Sequence, residues 1–145
     1  MLETDQKSAN MTIVERFFDL LEQNKLDEFH QLWHDDVVFE MPYTAPGLKE
    51  RYVGKPSVVR FFNIFRNSLD KALFNLITIQ ENHRLNHFII EGTSDCLTND
   101  GKPYRNRYVW AIELKEDKVK LFREYSNPLI IQAVFGGETA LEKIF

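Results

Sequence analysis

Four segments with strand-type patterns follow one another in the second half of the chain, and they constrain the fold more than any other feature. β-Branched and aromatic residues recur in these segments, which span residues 73–80, 87–97, 104–114 and 119–125. Turn-forming residues separate the later strands at 98–101 and 116–118. Consecutive long strands with short connections pair as an antiparallel meander. Such a sheet buries an apolar face only if other segments pack against it.

The first half of the chain contains three segments with the apolar spacing of amphipathic helices. The first is predicted from Ser8 or Asn10 to about Asn24, with an apolar stripe at Ile13, Phe17, Leu20 and Leu21. The second is short, begins near Asp27 and ends at residues 34–36; its shared face is Phe29, Leu32 and Trp33. The third opens after Gly54, and its aromatic face includes Val58, Phe61, Phe62, Phe65 and Leu69.

Three further segments complete the predicted order. Residues 37–41 are β-branched and aromatic and stop at Pro42, which predicts a short edge strand. Residues 43–53 have no clear period and are predicted to form a loop, whereas 129–135 favour a final helical turn. The order α-α-β-α-β-β-β-β predicts an α+β fold, a cone-shaped barrel whose curved antiparallel sheet wraps around three helices. We expect one domain over 1–145, with a core of about 10–136 and a C-terminal tail of 137–145.

Charge and composition exclude several classes of partner. The chain has 18 Lys and Arg against 22 Asp and Glu, a net charge of −4 without a basic cluster, so no nucleic-acid partner is expected. The longest apolar runs, such as 129–131, are far shorter than a membrane span, and the polar N-terminus does not resemble a signal peptide. Cys96 is the single cysteine. We therefore expect a cytoplasmic protein with no membrane partner and no internal disulfide.

Three short motifs occur together in an order that is familiar from one superfamily. They are FEMP at 39–42 with APG at 45–47, YRNRYVW at 104–110, and REYSNP at 123–128. Together they resemble the SnoaL-like branch of the nuclear transport factor 2-like superfamily, and within it the phenazine-biosynthesis PhzA/PhzB proteins. The resemblance implies a conical α+β domain with a deep pocket, usually a homodimer. Function varies widely on this fold, so it has to be argued from the site.

The best-known enzymes of the superfamily, the ketosteroid isomerases, use a carboxylate base and an oxyanion hole of Tyr and protonated Asp. The resemblance places Phe17, Met41 and Trp110 at those three positions. Phenazine proteins use a His on the third helix, where this chain has Phe61. Neither constellation is therefore expected here.

Strand alternation identifies one carboxyl group as the strongest catalytic candidate. If Trp110 faces the pocket, Tyr104, Asn106 and Tyr108 face it too, and on the last strand Phe122 shares a face with Glu124. An apolar pocket raises the pKa of a carboxyl toward neutrality, which suits a general acid or base. The resemblance also places an acidic active-site residue at Glu124. The alternative is that Glu124 pairs with Arg123, Arg107 or Asn127 as a structural group.

Glu91 and Asp95 share one parity on the strand 87–97, so both are further candidates for the pocket, although the apolar pair Ile89 and Ile90 blurs the alternation. Limonene-epoxide hydrolases need an Arg where this chain has Thr93, so the epoxide hydrolase hypothesis is a minor one. His30 with His34 and His83 with His87 are paired by spacing, but no third ligand converges, so no metal and no cofactor are expected.

Two functional hypotheses remain. The first is a cofactor-free isomerase or cyclase in which Glu124 moves a proton on a small apolar, ring-containing ligand; its predicted pocket lining is Phe17, Met41, Tyr43, Phe61, Phe62, Trp110 and Phe122. The second is a non-catalytic ligand-binding or dimeric interaction domain. A homodimer is expected in both, because the long strands have apolar residues on both faces and the helices cover only one.

Overall fold

The computed structural model describes residues 8–82 and 86–145 of the chain, and these residues contain five helices and nine strands. The helices are α1 (Ala9–Glu22), α2 (Leu26–His30), α3 (Lys55–Asn67), α4 (Pro128–Phe135) and α5 (Glu138–Ile144). The strands are β1 (Trp33–Glu40), β2 (Arg51–Val53), β3 (Leu69–Lys71), β4 (Phe74–Glu81), β5 (His87–Ser94), β6 (Cys96–Thr98), β7 (Pro103–Tyr104), β8 (Arg107–Lys115) and β9 (Lys118–Ser126). Among these helices, none is long and apolar enough to cross a membrane.

Six of the strands form one mixed sheet in the order β2-β1-β9-β8-β5-β4. Neighbours in this sheet are antiparallel except β1 and β9, which run parallel. The predicted α+β class with a curved sheet is confirmed, and the sheet stays open, with β2 and β4 at its edges. The predicted strands 87–97 and 104–114 are each interrupted, near Asp95 and at residues 105–106, and their outer parts join β3 in a second sheet.

The first strand differs from the prediction in its place in the sheet and in its first residue. It is not an edge strand, because Arg51–Val53, predicted as loop, pairs with its outer side as β2. It also begins at Trp33, which was expected in the second helix; α2 ends at His30. Trp33 pairs with Val119 of β9, and this long-range pairing overrides the local helical spacing.

Aromatic rings form the centre of the core, where α1, α2 and α3 pack on one face of the large sheet. Adjacent ring centroids in this cluster lie between 4.8 and 6.3 Å apart, within the usual range for aromatic pairs; its members are Phe17, Phe29, Trp33, Phe62 and Phe122. The predicted start of α1 is confirmed, since the Ser8 side chain accepts a hydrogen bond from the Met11 N–H as its N-cap.

A buried arginine joins the first and third helices. The Arg66 guanidinium donates to the carbonyl oxygens of Leu21, Glu22 and Leu69 at 2.7, 2.9 and 3.1 Å. Two of these carbonyls belong to the last two residues of α1, and the Leu21 carbonyl also accepts a hydrogen bond from the Asn24 backbone N–H at 3.3 Å. Arg66 therefore fixes how α3 lies against α1.

The C-terminal residues cover one end of the core instead of trailing from it. Asn127 caps α4 by accepting a hydrogen bond from the Leu129 N–H, and α4 spans the predicted helical turn. Residues 138–144 form α5, whose Leu141 is fully buried, so the core extends beyond residue 136. α5 lies close to Gly47: a Cβ atom there would be 2.5 Å from the Glu138 carbonyl oxygen and 2.8 Å from the Leu141 Cβ.

The packing of α5 can be tested with two glycines of similar backbone conformation. Gly47 (φ +103°) and Gly101 (φ +87°) both have positive φ, but a Cβ on Gly101 would meet nothing within 4 Å. We expect Gly101→Ala to lower the free energy of unfolding by about 1–2 kcal/mol through backbone strain alone. Gly47→Ala should lose about 1–3 kcal/mol more, because the new methyl group collides with α5. Urea unfolding measures both losses, and equal losses would contradict the close packing of α5 on Gly47.

Candidate functional site

A small cavity of about 40 Å³ lies between α1, α3, the large sheet and the two C-terminal helices. Its wall is almost entirely apolar and mostly aromatic: Phe18, Leu21, Phe39, Met41, Leu48, Phe61, Phe62, Phe65, Phe74, Tyr104, Tyr108, Trp110, Phe122, Glu124, Ile131, Phe135 and Phe145. Glu124 is the one charged residue among them, and Tyr104 and Tyr108 contribute the hydroxyl groups. The cavity therefore places a single carboxyl group in an aromatic surrounding.

Glu124 lies on β9, directly opposite Trp110 of β8. The Trp110 indole N–H donates to the Glu124 Oε1 at 3.1 Å. The residue as a whole keeps some exposed surface, whereas its carboxyl group is surrounded by protein atoms. This burial raises the pKa of Glu124 to about 7, and the hydrogen bonds with Trp110 and Ser126 lower it by less. Near neutral pH the carboxyl can therefore both accept and donate a proton.

Among the described residues, Glu124 has no salt-bridge partner. Arg123, one of the predicted alternatives, instead binds Glu40 at 3.0 Å. Arg107 is exposed on the opposite face of β8, and Asn127 caps α4. The structural pairing considered from the sequence is therefore not observed, and the carboxyl faces the cavity.

Neighbouring residues fix the indole that holds this carboxyl. Tyr108 stacks on Trp110 with ring centroids 4.5 Å apart and planes 12° apart. On the adjacent strand, Gly92 leaves room for the same ring, since a Cβ there would lie 2.8 Å from a Trp110 ring carbon. Trp110 is therefore held between Tyr108 and the backbone of β5, with its N–H directed at Glu124.

A chain of hydroxyl groups lies at another part of the cavity wall. The Tyr108 hydroxyl donates to the Tyr104 hydroxyl at 3.0 Å and is 2.9 Å from the Ser94 Oγ. Asn106 supports both ends: its backbone N–H donates to Ser94 at 3.1 Å, and its side-chain amide donates to Tyr104 at 3.2 Å. Burial raises the pKa of both tyrosines, so both stay protonated.

Strand alternation placed Tyr104, Tyr108 and Glu124 on the inner face and left the face of Glu91 and Asp95 open. Glu91 and Asp95 are exposed and do not line the cavity: Glu91 accepts a hydrogen bond from Thr78, and Asp95 pairs with Arg105 at 3.0 Å. On β5 the inward positions have even numbers, and Asp95 lies where β5 and β6 are interrupted. Asn106 is buried but does not line the cavity.

The structure places five of the seven residues of the predicted pocket lining at this cavity. Met41, Phe61, Phe62, Trp110 and Phe122 line the cavity. Phe17 does not: it is buried in the ring cluster with Phe29 and Trp33, and the adjacent Phe18 faces the cavity instead. Tyr43 is 69% exposed and contacts Tyr125 outside the cavity.

Several lining residues gave no functional signal in the sequence. Phe135 and Phe145 come from the C-terminal segments, where only a helical turn was predicted. Both keep some exposed surface, as do Leu48 and Phe65, so these four apolar residues reach from the cavity wall to the protein surface. They form the cavity mouth.

The histidines considered as metal ligands contact other groups. The Trp33 indole N–H donates to the His30 Nδ1 at 3.1 Å, so the His30 Nε2–H donates to the Asn63 Oδ1 at 2.8 Å. His34 lies 3.1 Å from a Glu116 carboxylate oxygen. His83 lies outside the described residues.

Comparison with known proteins identifies the family. The model of the SnoaL-like domain family matches residues 14–122. A relative from Bacillus subtilis, the uncharacterised protein YesE, is 27% identical over 94% of this chain and 93% of its own length. An uncharacterised PhzA/B-like protein from Pseudomonas aeruginosa, PA3332, is 25% identical over 86% of this chain and 89% of its own. The resemblance to the PhzA/PhzB proteins is thus confirmed.

Solved structures show the same fold. The crystal structure of a proposed isomerase from Bacillus subtilis has a TM-score of 0.80 and 25% identity, over 88% of this chain and 93% of that one. A proposed SnoaL-like polyketide cyclase from Shewanella putrefaciens has a TM-score of 0.72 and 9% identity, over 89% and 97%. The second likeness concerns the fold alone.

The raised pKa of Glu124 has a consequence for stability that can be measured. In the unfolded chain this carboxyl ionises near its ordinary pKa of 4.5, and in the folded chain near 7. The folded state therefore retains the proton longer, and its stability falls as the pH rises from about 4.5 to about 7. Glu124→Gln removes this loss, so above pH 7 it should be more stable than the parent by up to about 3 kcal/mol, with little gain below pH 4.5.

Chemical denaturation across this pH range measures the difference. Glu91→Gln is the matched control, because it removes an exposed carboxyl from β5, which belongs to the same sheet and is separated from β9 by β8. The difference between this variant and Glu124→Gln isolates the effect of the buried carboxyl. If Glu124→Gln and the parent have the same free energy of unfolding at every pH, the Glu124 carboxyl does not have the raised pKa that burial would give it.

Proposed function

The chain belongs to the SnoaL-like domain family of the nuclear transport factor 2-like superfamily, and we propose that it is a cofactor-free isomerase or cyclase that acts by acid–base chemistry on an apolar, ring-containing small molecule. The observation that supports this most is the position of Glu124, the one carboxyl group in an aromatic cavity. A carboxyl with a pKa near the working pH is present in both protonation states, which a group that takes and returns a proton requires.

The chemistry follows from having one such group. The Glu124 carboxylate accepts a proton from one atom of the bound molecule, and the resulting carboxylic acid donates it to another. No atoms are gained or lost, so isomerisation or ring closure needs no co-reactant in this scheme. The structural neighbours described as a proposed isomerase and a proposed polyketide cyclase belong to the same reaction classes.

The cavity wall determines which molecules are suitable. Aromatic side chains offer dispersion and ring stacking, whereas a charged metabolite would lose hydration that one carboxyl and two hydroxyls cannot replace. At about 40 Å³ the cavity has room for only a few atoms, so a ring enters only if residues of the cavity mouth move. Phe145 is the best candidate for the residue that moves, because it is partly exposed and contacts the cavity wall by stacking on Phe61, with ring centroids 4.9 Å apart.

A non-catalytic ligand-binding domain is the second candidate. This candidate is favoured by the loss of the ketosteroid isomerase groups, whose positions are taken here by Phe17, Met41 and Trp110. Epoxide hydrolysis loses support, because Glu91 and Asp95 do not share the cavity with Glu124. Turnover distinguishes catalysis from binding.

A homodimer through the outer face of the large sheet is part of the proposal. This face presents apolar side chains to solvent, including Ile77 and Val109, which are 62% and 37% exposed. They line a broad groove together with Tyr125. A second copy of the sheet would remove these side chains from water.

Light scattering tests the dimer with a matched pair of substitutions. The parent should have twice the mass of one 17.2 kDa chain at micromolar concentration. Val109→Glu on the outer face should give monomers, because a charge would be buried at the centre of the interface. Ile144→Glu, at a position on α5 of nearly equal exposure (38%), should leave the dimer intact. A monomeric parent, or equal effects of both variants, would contradict the proposed face.

The catalytic proposal can be tested with 5-nitrobenzisoxazole, an apolar bicyclic probe. A base removes the proton from C3, the C–H electron pair forms the nitrile, and the N–O bond breaks to give a coloured phenolate. The parent should accelerate this elimination, with a rate that rises with pH and is half-maximal near pH 7, since the ionised Glu124 is the base. Phe145→Ala should accelerate it further by widening the cavity mouth.

Glu124→Gln should lower this rate roughly 10²- to 10⁴-fold, and Glu91→Gln should leave it unchanged. Equilibrium dialysis of the probe provides the second readout. Binding without turnover in both the parent and Phe145→Ala would support the non-catalytic domain and overturn the acid–base proposal. Turnover that survives Glu124→Gln would overturn the assignment of the base.

A further inference from the structure

The hydroxyl chain at the cavity wall has a direction that follows from counting its protons. Each of Ser94, Tyr108 and Tyr104 has one hydroxyl proton. Tyr108 donates its proton to Tyr104, so the contact between Ser94 and Tyr108 needs the proton of Ser94. Hydrogen-bond donation along the hydroxyl chain therefore runs from Ser94 through Tyr108 to Tyr104.

Tyr104 lies at the end of this chain and has an unused proton. Its oxygen accepts two hydrogen bonds, one from the Tyr108 hydroxyl at 3.0 Å and one from the Asn106 amide at 3.2 Å. Among the described residues, its own proton has no acceptor. Tyr104 is 3% exposed and lines the same cavity as Glu124. The one direction left for this proton is the interior of the cavity.

We propose that the Tyr104 hydroxyl donates a hydrogen bond to a carbonyl oxygen of the ligand, so that the ligand class is apolar, ring-containing carbonyl compounds. This inference rests on the proposed function, because it concerns the ligand of the same cavity. Two accepted hydrogen bonds polarise the Tyr104 O–H group and strengthen it as a donor. Burial raises the pKa of Tyr104, so it remains a donor near neutral pH.

The other polar groups of the wall make a carbonyl the best match. A carbonyl oxygen only accepts hydrogen bonds, and Tyr104 is a donor with an unused proton. A ligand carboxylate would be repelled by the ionised Glu124. The Asn106 amide cannot serve instead, because it uses both oxygen and nitrogen in contacts with Tyr104, Arg107 and Asn127. Tyr104 thus determines specificity, and Asn106 and Tyr108 orient it.

Acetophenone and cumene form a matched pair of probes, since they have nearly the same shape and only acetophenone has a carbonyl oxygen. Their affinities are measured by calorimetry for the parent and in the Phe145→Ala background, whose mouth is wider. Tyr104→Phe should weaken acetophenone binding about 5- to 10-fold and leave cumene binding unchanged, the effect of losing one hydrogen bond.

Tyr108→Phe is the control, because it removes an equally buried hydroxyl from the same chain but leaves the proton of Tyr104 in place. It should weaken acetophenone binding by about twofold or less. Equal losses of acetophenone affinity in Tyr104→Phe and Tyr108→Phe would mean that the hydroxyl chain has only a structural role. This result would overturn the proposal. Tyr104→Phe with undiminished preference for acetophenone would overturn it as well.

A measurement on the unsubstituted tyrosines remains available if a variant fails to fold. The infrared carbonyl stretch of bound, ¹³C-labelled acetophenone is recorded in the Phe145→Ala protein at about pH 9, where Glu124 is ionised and cannot donate. A hydrogen bond from Tyr104 lowers this frequency below its value in hexane. An unshifted frequency, or no binding of either probe, contradicts the inference. These readouts do not need turnover, so they distinguish a failure of this inference from a failure of the catalytic proposal.

Discussion

The register between β8 and β9 is the constraint on which the cavity depends. It places Trp110 opposite Glu124 and Ile112 opposite Phe122, so that the carboxyl and its aromatic neighbours share the inner face. Because side chains alternate along a strand, a shift of one residue would bury Arg123 and expose Glu124. The inner apolar residues of both strands oppose that shift, since it would move the whole set into water. The same hydrophobic pattern that specifies the sheet therefore also buries the carboxyl.

Two opposing effects act on the pKa of Glu124, and their relative sizes determine its protonation state near neutral pH. Removing a carboxylate from water costs several kcal/mol, whereas a hydrogen bond from a neutral donor such as Trp110 returns about 1 kcal/mol. Burial therefore dominates, which agrees with a pKa near 7 rather than below 4.5. A local conflict of this kind, in an otherwise consistent core, is typical of functional sites.

Strand periodicity predicted more of the site than helical periodicity did. The resemblance placed Trp110 in the pocket, and alternation from it and from Phe122 then placed Tyr104, Tyr108 and Glu124 on the inner face, because a strand has two faces and one fixed residue determines the rest. On α1, adjacent Phe17 and Phe18 both fit the apolar face, so the sequence could not determine which one reaches the cavity. The parallel pairing of β1 with β9 joins residues more than 80 positions apart and has no local signal. The contribution of Phe145 was missed for the same reason.

The size of the cavity favours a ring as its occupant for an energetic reason. Moving the Phe145 ring from Phe61 into water costs about 1.5–3 kcal/mol, the usual cost of exposing a large apolar side chain. A ring-shaped ligand that takes the same place restores the stacking and buries a similar area, so it offsets most of this cost. A linear or charged molecule makes fewer of these contacts and leaves the cost uncompensated. The closed cavity thus selects for ligands that resemble the side chain they displace, before the polar groups of Glu124 and Tyr104 act on them.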